Sequence, residues 1–155
     1  MAERISIDGN HCLLAEMMIT GVRIACGGAV AGGDFKLMNR ALKEMRVASE
    51  VFHPYLDRRK VSVFGSARTK PEEPSYQTAV EFARRMKEEG FMTITGAGPG
   101  IMAAGNEGAG REESFGHNIA LPFEASANEF IDGDTKLINF NYFFTRKLSF
   151  VKEAD

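Results

Sequence analysis

The sequence predicts an α/β protein: a parallel sheet flanked by helices, with a helical extension ahead of it. Three observations predict it. Short β-rich apolar runs at residues 61–64, 91–95 and 118–121 alternate with amphipathic stretches of helical period, and strand–helix alternation of this kind builds a parallel sheet covered by helices. Glycine-rich turns follow the first two runs directly, at 65–68 and 96–100, on the sheet edge where such folds hold ligands. With 155 residues, 44% apolar and 26% charged, the chain is sized for a single core, and its composition excludes disordered and fibrous classes. Residues 1–59 read as the helical extension and residues 60–155 as the sheet-bearing domain.

The elements follow in order. Leu13, Leu14, Met17, Met18 and Val22 recur at helical intervals within residues 11–24, and Gly27, Gly28, Gly32 and Gly33 then break the pattern. No strand precedes these glycines and no Lys or Ser/Thr follows in P-loop spacing, so they read as a linker between helices. Met38, Ala41, Leu42, Met45, Ser49 and Phe52 define a helix over 34–52, with Asp34 as its expected N-cap and Pro54 as its stop. Residues 61–64 form the first strand. Residues 75–89 form a helix along Tyr76, Ala79, Val80, Ala83 and Met86, closed by Gly90 at C′. Residues 91–95 are a second strand. Residues 101–110 are helical, with Pro99 expected within the first turn, where its missing N–H is not needed. Residues 118–121 are a third strand closed by Pro122, and a polar loop then carries Glu124, Asn128, Glu129 and Asp132-Gly133-Asp134. Residues 135–140 are a fourth strand. Residues 141–153 are a helix with Phe144, Leu148 and Val151 on one face.

Lys plus Arg is 19 and Asp plus Glu is 21, a formal net charge of -2. Without a basic stripe interleaved with aromatics, this balance argues against a nucleic-acid partner. No apolar run approaches the ~20 residues of a membrane span. The start Met-Ala-Glu-Arg-Ile has no signal-peptide core. The expected location is the cytoplasm. Cys12 and Cys26, the 2 cysteines, are expected to be small core residues in a reducing compartment. His11, His53 and His117 are scattered, and no metal site is expected.

Four groups could carry chemistry. Gly96-Ala97-Gly98-Pro99-Gly100 lets backbone approach a ligand closely, and the following helix aims free N–H groups at the same spot. The position that would hold the third glycine of a dinucleotide fingerprint is Ile101, so the reading is phosphate or nucleotide binding without that fingerprint. Gly65-Ser66-Ala67-Arg68 could add a hydroxyl and a cation. Arg146 and Lys147 are adjacent cations on an apolar helix, about 100° apart, so that one can face a site. Arg suits a fixed contact with an oxyanion. Glu124 and Glu129 could stabilise a cationic centre or activate water.

Val61-Ser62-Val63-Phe64-Gly65-Ser66-Ala67-Arg68, Gly96-Ala97-Gly98-Pro99-Gly100-Ile101-Met102 and Phe143-Phe144-Thr145-Arg146-Lys147 occur in an order and at intervals that resemble the Lonely Guy (LOG) family of Rossmann-like nucleotide-binding proteins, also labelled lysine decarboxylase-like. The similarity spans residues 60–155. Phe52-His53-Pro54-Tyr55 is similar to the N-terminal extension of longer members. The resemblance implies a phosphoribohydrolase. Such an enzyme cuts the N-glycosidic bond of a nucleoside 5′-monophosphate, AMP or a cytokinin nucleotide, to give free base and ribose 5-phosphate. It implies a homodimer, for which the aromatic last helix (Tyr142, Phe143, Phe144, Phe150) is suited. It implies Arg146 as the catalytic arginine with Lys147 beside it. Glu129 lies near the family's upstream acidic position. Gly96, Gly98, Pro99 and Gly100 form the loop under the nucleotide, with Gly65 and Ser66 alongside. The older label implies pyridoxal phosphate, but nothing here supports a cofactor lysine, so no cofactor is expected. The family's Pro-Gly-Gly-x-Gly-Thr motif with its following Glu is not found. The sequence stops at Lys152-Glu153-Ala154-Asp155, where the strand leading to that motif would begin. The expectation is a fragment of a longer chain, lacking an inner strand and showing no glycosidase turnover by itself. The alternative reading is a non-catalytic nucleotide or molybdenum-cofactor binding protein on the same fold.

Overall fold

The computed structural model describes residues 7–28, 30–120 and 126–155. The architecture is α/β and Rossmann-like: four parallel strands in the order β1-β2-β3-β4, with a helix between β1 and β2 and another between β2 and β3. The chain divides into two compact units, one reaching Lys43 and the other Glu44–Asp155. That division falls inside a helix, upstream of the 59/60 boundary read from the sequence.

The first unit contains α1 (Ile7–Cys26) and the beginning of α2 (Gly32–Phe52). Leu13, Met17 and Ile24 of α1, with Phe35, Met38 and Leu42 of α2, line an open apolar groove of about 630 Å³. Helix α2 starts at Gly32, so Asp34 is not the cap but an acidic residue of the first turn, where its charge still complements the helix dipole. Cys12 and Cys26 are exposed; the expectation of core cysteines does not hold. A pair of helices leaves too little interior to enclose them.

The second unit takes up α2 from Glu44. A 3-10 turn at His53–Tyr55 follows, then β1 (Lys60–Val63), α3 (Pro74–Glu88), β2 (Met92–Thr95) and α4 (Ile101–Ala109). After a second 3-10 turn at Arg111–Glu113 come β3 (Ser114–Ile119), β4 (Leu137–Phe140) and α5 (Phe143–Glu153). The register pairs Val61 with Thr93, Ile94 with Phe115 and His117 with Ile138. Alternate strand residues divide between the two faces. Met92, Ile94, Phe115, Ile119 and Ile138 join Phe52 of α2 and Phe150 of α5 in the main core, where Phe52 stacks on Phe115 at 4.3 Å. On the opposite face Val63 and Thr95 pack against Gly105 of α4, and Tyr76 of α3 buries against Ala103 and Ala104.

Three boundaries differ from expectation for local reasons. Strand β3 begins at Ser114, not 118, because Phe115, His117 and Ile119 alternate into the core and the histidine masks that period. Strand β4 begins at Leu137 because the residues before it form a tight turn, with the Lys136 N–H and Nζ both donating to Asp134 Oδ1 at 2.8 Å. Helix α5 begins at Phe143 because its start is held from another helix. Glu44, 7% exposed, accepts from the Asn141 N–H and Nδ2, each at 2.9 Å, and from Thr145 Oγ1 at 2.5 Å. The inward face of α5 is Thr145, Ser149, Phe150 and Glu153, whereas Phe144, Leu148 and Val151 are exposed. Asp155 meets the outer edge of β1. Its N–H donates to the Lys60 carbonyl at 3.0 Å, and its Oδ2 accepts from the Lys60 N–H at 2.8 Å. Pro122 and Glu124 lie outside the described residues.

Candidate functional site

Parallel connections put the loops after β1, β2 and β3 at one edge of the sheet, and three of these segments meet there. Thr95 ends β2 with its side chain buried, and Gly96 to Gly100 form the bend into α4. Ala97 sits at φ 60°, a left-handed conformation that alanine adopts at a cost. Gly100, the N-cap of α4, has φ 67° and ψ -132°, a region open to glycine. A Cβ there would come within 2.2 Å of the Ser66 carbonyl oxygen. The Ile101 N–H donates to that same carbonyl at 3.0 Å, and a Cβ on Gly65 would overlap the Ile101 side chain. The β1 loop and the start of α4 are therefore in direct contact. Ser66 is exposed, and its Oγ accepts from the Arg68 N–H at 3.1 Å. Pro99 is exposed and precedes the N-cap, one step outside the helical turn expected for it.

The carbonyls of the bend are tied to the protein. Arg146 reaches from α5 and donates from Nη2 to the Gly96 carbonyl at 3.1 Å and from Nε to the His117 carbonyl at 2.6 Å. Its guanidinium also lies 5.6 Å from the Phe150 ring centroid. A Cβ at Gly96 would stand 2.5 Å from Nη2, so only glycine admits this approach. The Ala97 carbonyl accepts from the Asn128 N–H at 2.8 Å, and the Gly98 carbonyl accepts from Asn128 Nδ2 at 3.1 Å. The amides behave differently. The Ala97 N–H donates to Thr95 Oγ1 at 3.0 Å, but none of the described residues accepts from the N–H of Gly98 or Gly100. The first-turn amides of α4 lack intrahelical partners by geometry. Unsatisfied donors, a helix N-terminus and a guanidinium thus converge at the bend, an arrangement that favours an anion.

Of the residues singled out from sequence, the structure brings Gly65, Ser66, Gly96, Gly98, Pro99, Gly100 and Arg146 to this edge. Lys147 is exposed, and its side chain makes no hydrogen bond or ion pair with any described residue. Glu129 is exposed, and its carbonyl accepts from Arg111 Nη2 at 3.0 Å. Its charge is felt instead at Tyr76. There, burial first, then the hydrogen bond to Glu107 (2.7 Å) and the charges of Glu107 and Glu129, push the phenol well above its ordinary value. The loop meets the bend one residue earlier, at Asn128. Thr95, Asn106 and Asn128 form a polar cluster under the bend that the sequence reading did not single out as functional. The signal was a Thr directly before the glycine run and a lone Asn in the apolar helix 101–109. His117 is 0% exposed. Burial and then the Arg146 charge lower its pKa from 6.5 to about 3, so it is a neutral core ring beside the site. Among the described residues no group of three His, Cys, Asp or Glu side chains is placed to hold a metal ion, and no helix is long and apolar enough to cross a membrane.

No protein-family model matches the chain, and no curated protein matches it either.

Proposed function

We propose that the chain binds a nucleoside 5′-monophosphate at this bend and serves hydrolysis of its N-glycosidic bond, yielding free base and ribose 5-phosphate, with AMP or a cytokinin nucleotide as substrate type. One observation carries the reading: the Arg146 guanidinium is fixed against Gly96, beside the amides of Gly98 and Gly100. That brings a positive charge to the same bend that carries backbone donors, a pairing that suits a phosphate monoester. The order of the three segments that resemble the LOG family supports it further. In the reaction the C1′–N bond breaks, its electron pair leaves with the base, water oxygen bonds to C1′ of an oxocarbenium-like centre, and the proton that water gives up ends on the departing base. Arg146 and the bend hold the phosphate while this happens. The reading includes a cytoplasmic protein with reduced thiols and a homodimer, supported by the exposed apolar face of Phe144, Leu148 and Val151 on α5.

A second reading has its own support. No carboxylate among the described residues hydrogen-bonds at the bend, and the charge of Glu129 acts on Tyr76. A site that holds the nucleotide without activating water is a non-catalytic nucleotide or molybdenum-cofactor binder. Calorimetric titration with AMP, followed by chromatography for free adenine, separates the outcomes. AMP binding that Arg146→Ala weakens about tenfold or more is expected. Adenine release identifies the hydrolase, and binding without release favours the binder as the reading of this chain. Absence of AMP binding refutes both.

A further inference from the structure

Asn128 commits all its polar groups. Its N–H donates to the Ala97 carbonyl at 2.8 Å, and its own carbonyl accepts from Ile131 and Asp132 at 3.1 and 2.9 Å. Its Nδ2 donates to the Gly98 carbonyl at 3.1 Å and to Asn106 Oδ1 at 3.0 Å. Its Oδ1 accepts from the Phe130 N–H at 3.2 Å. Beneath it, Thr95 Oγ1 donates to the same Asn106 Oδ1 at 2.6 Å and accepts from the Ala97 N–H at 3.0 Å. Asn106 Nδ2 is anchored on the Phe115 carbonyl at 3.4 Å. Thr95 and Asn106 are both 0% exposed.

These bonds act on peptide planes. In a trans peptide the carbonyl and the following N–H point in opposite directions. Asn128 holds the Ala97 carbonyl and so turns the Gly98 N–H away from its own loop. Its side chain fixes the next plane through the Gly98 carbonyl, and Thr95 fixes the plane before through the Ala97 N–H. The left-handed Ala97 is held from both sides.

We propose that Asn128 is the positioning residue of the bend: it fixes the peptide planes on either side of Gly98, so that the Gly98 N–H is set for a phosphate oxygen before the ligand arrives. Thr95, acting through Asn106, supports it. The assignment rests on the reading of the bend as a phosphate cradle. Its benefit is pre-organisation, since the ordering cost is met in folding rather than in binding.

The test titrates inorganic phosphate into the 15N-labelled chain and follows the amide resonances of Gly98 and Gly100. Both resonances shift saturably in the wild type. In Asn128→Ala the midpoint rises about tenfold, the order expected when an organising hydrogen bond is lost. Thr95→Val, which keeps shape and removes the hydroxyl, moves the midpoint the same way, and Thr95→Ser restores it. Loss of packing alone would not give that rescue, and the Thr95 pair carries the test if Asn128→Ala does not fold. A wild-type midpoint in Asn128→Ala overturns the proposal, as does equal impairment in Thr95→Val and Thr95→Ser, or no phosphate-dependent shift in the wild type. The hydrolase reading is scored separately. Phosphate midpoints that move as described, with no adenine released from AMP, remove hydrolysis by this chain and leave Asn128 in its role. Adenine release with unchanged midpoints does the reverse.

Discussion

Acid should weaken this fold within a window set by His117. Its ring lies 5.5 Å from Phe52, 5.3 Å from Phe140 and 4.5 Å from Phe150, centroid to centroid. Nε2 is 3.5 Å from Ser149 Oγ, and Nδ1 has no partner among the described residues. Burial and the neighbouring Arg146 charge hold its pKa near 3, against 6.5 when free. The unfolded chain therefore takes up a proton that the folded chain refuses. His117's contribution is fully present above the unfolded value and is lost as pH falls from there toward the folded one. Between about pH 7.5 and about pH 5 the loss is about 2 kcal/mol, with a ceiling of about 5 kcal/mol once both states are protonated. Urea unfolding followed by circular dichroism across this range measures the loss. His117→Leu, similar in volume and unable to titrate, should flatten the wild-type slope over the same interval. Parallel pH curves for the two proteins would refute the argument, because the slope would then belong to other groups.

Two further substitutions test how the bend and α5 are held. Gly100→Ala places a methyl against the Ser66 and Ala67 backbone, at 2.2 Å from one oxygen and 2.8 Å from one carbon. Since backbone cannot step aside as a side chain can, a loss of about 3 kcal/mol or more is expected; a calorimetric melt at the wild-type temperature would contradict it. Glu44→Ala leaves the Asn141 N–H and Nδ2 without their acceptor and the Thr145 hydroxyl with the Tyr142 carbonyl alone, and should cost about 2 kcal/mol. Hydrogen exchange should accelerate first in the opening turn of α5, with Glu44→Gln milder, and a uniform change across the chain would count against local capping.

The sheet was legible because its signals are local. Residues 91–95 are β-rich, the glycines after them can only be a turn, and the helix at 75–89 carries its stripe and its terminal glycine within fifteen positions. What escaped depends on partners distant in sequence. Strand β3 hid its first half because His117 occupies a core position that a periodicity reading expects to be apolar. The start of α5 is set by Glu44, about a hundred residues upstream, and no local rule supplies a cap from another helix. At the site, Arg146 could be chosen over Lys147, but not the carbonyls it would hold. Glu129 drew attention as a carboxylate, yet the neutral amide beside it makes the contact. Hydrogen bonding to backbone carbonyls needs a donor, which Asn128 has and a carboxylate lacks.

Ala97 shows why the bend is built at a cost. A left-handed alanine is about 1–2 kcal/mol worse than the right-handed form, and glycine would remove that penalty. Glycine would also give up the methyl, which is fully buried with Ala127 and Ile131 and packed against Leu137. Ala127 and Ile131 belong to the segment that carries Asn128. The methyl therefore packs the loop onto the bend while the Asn128 bonds hold the bend to the loop. A glycine at 97 would relax the backbone and loosen the element that orients Gly98. The hydrogen bonds at the Ala97 N–H and carbonyl, with the buried methyl, offset the strain. A bend fixed in this way presents its amides in one direction, which is the property an anion site requires and a merely connecting turn does not.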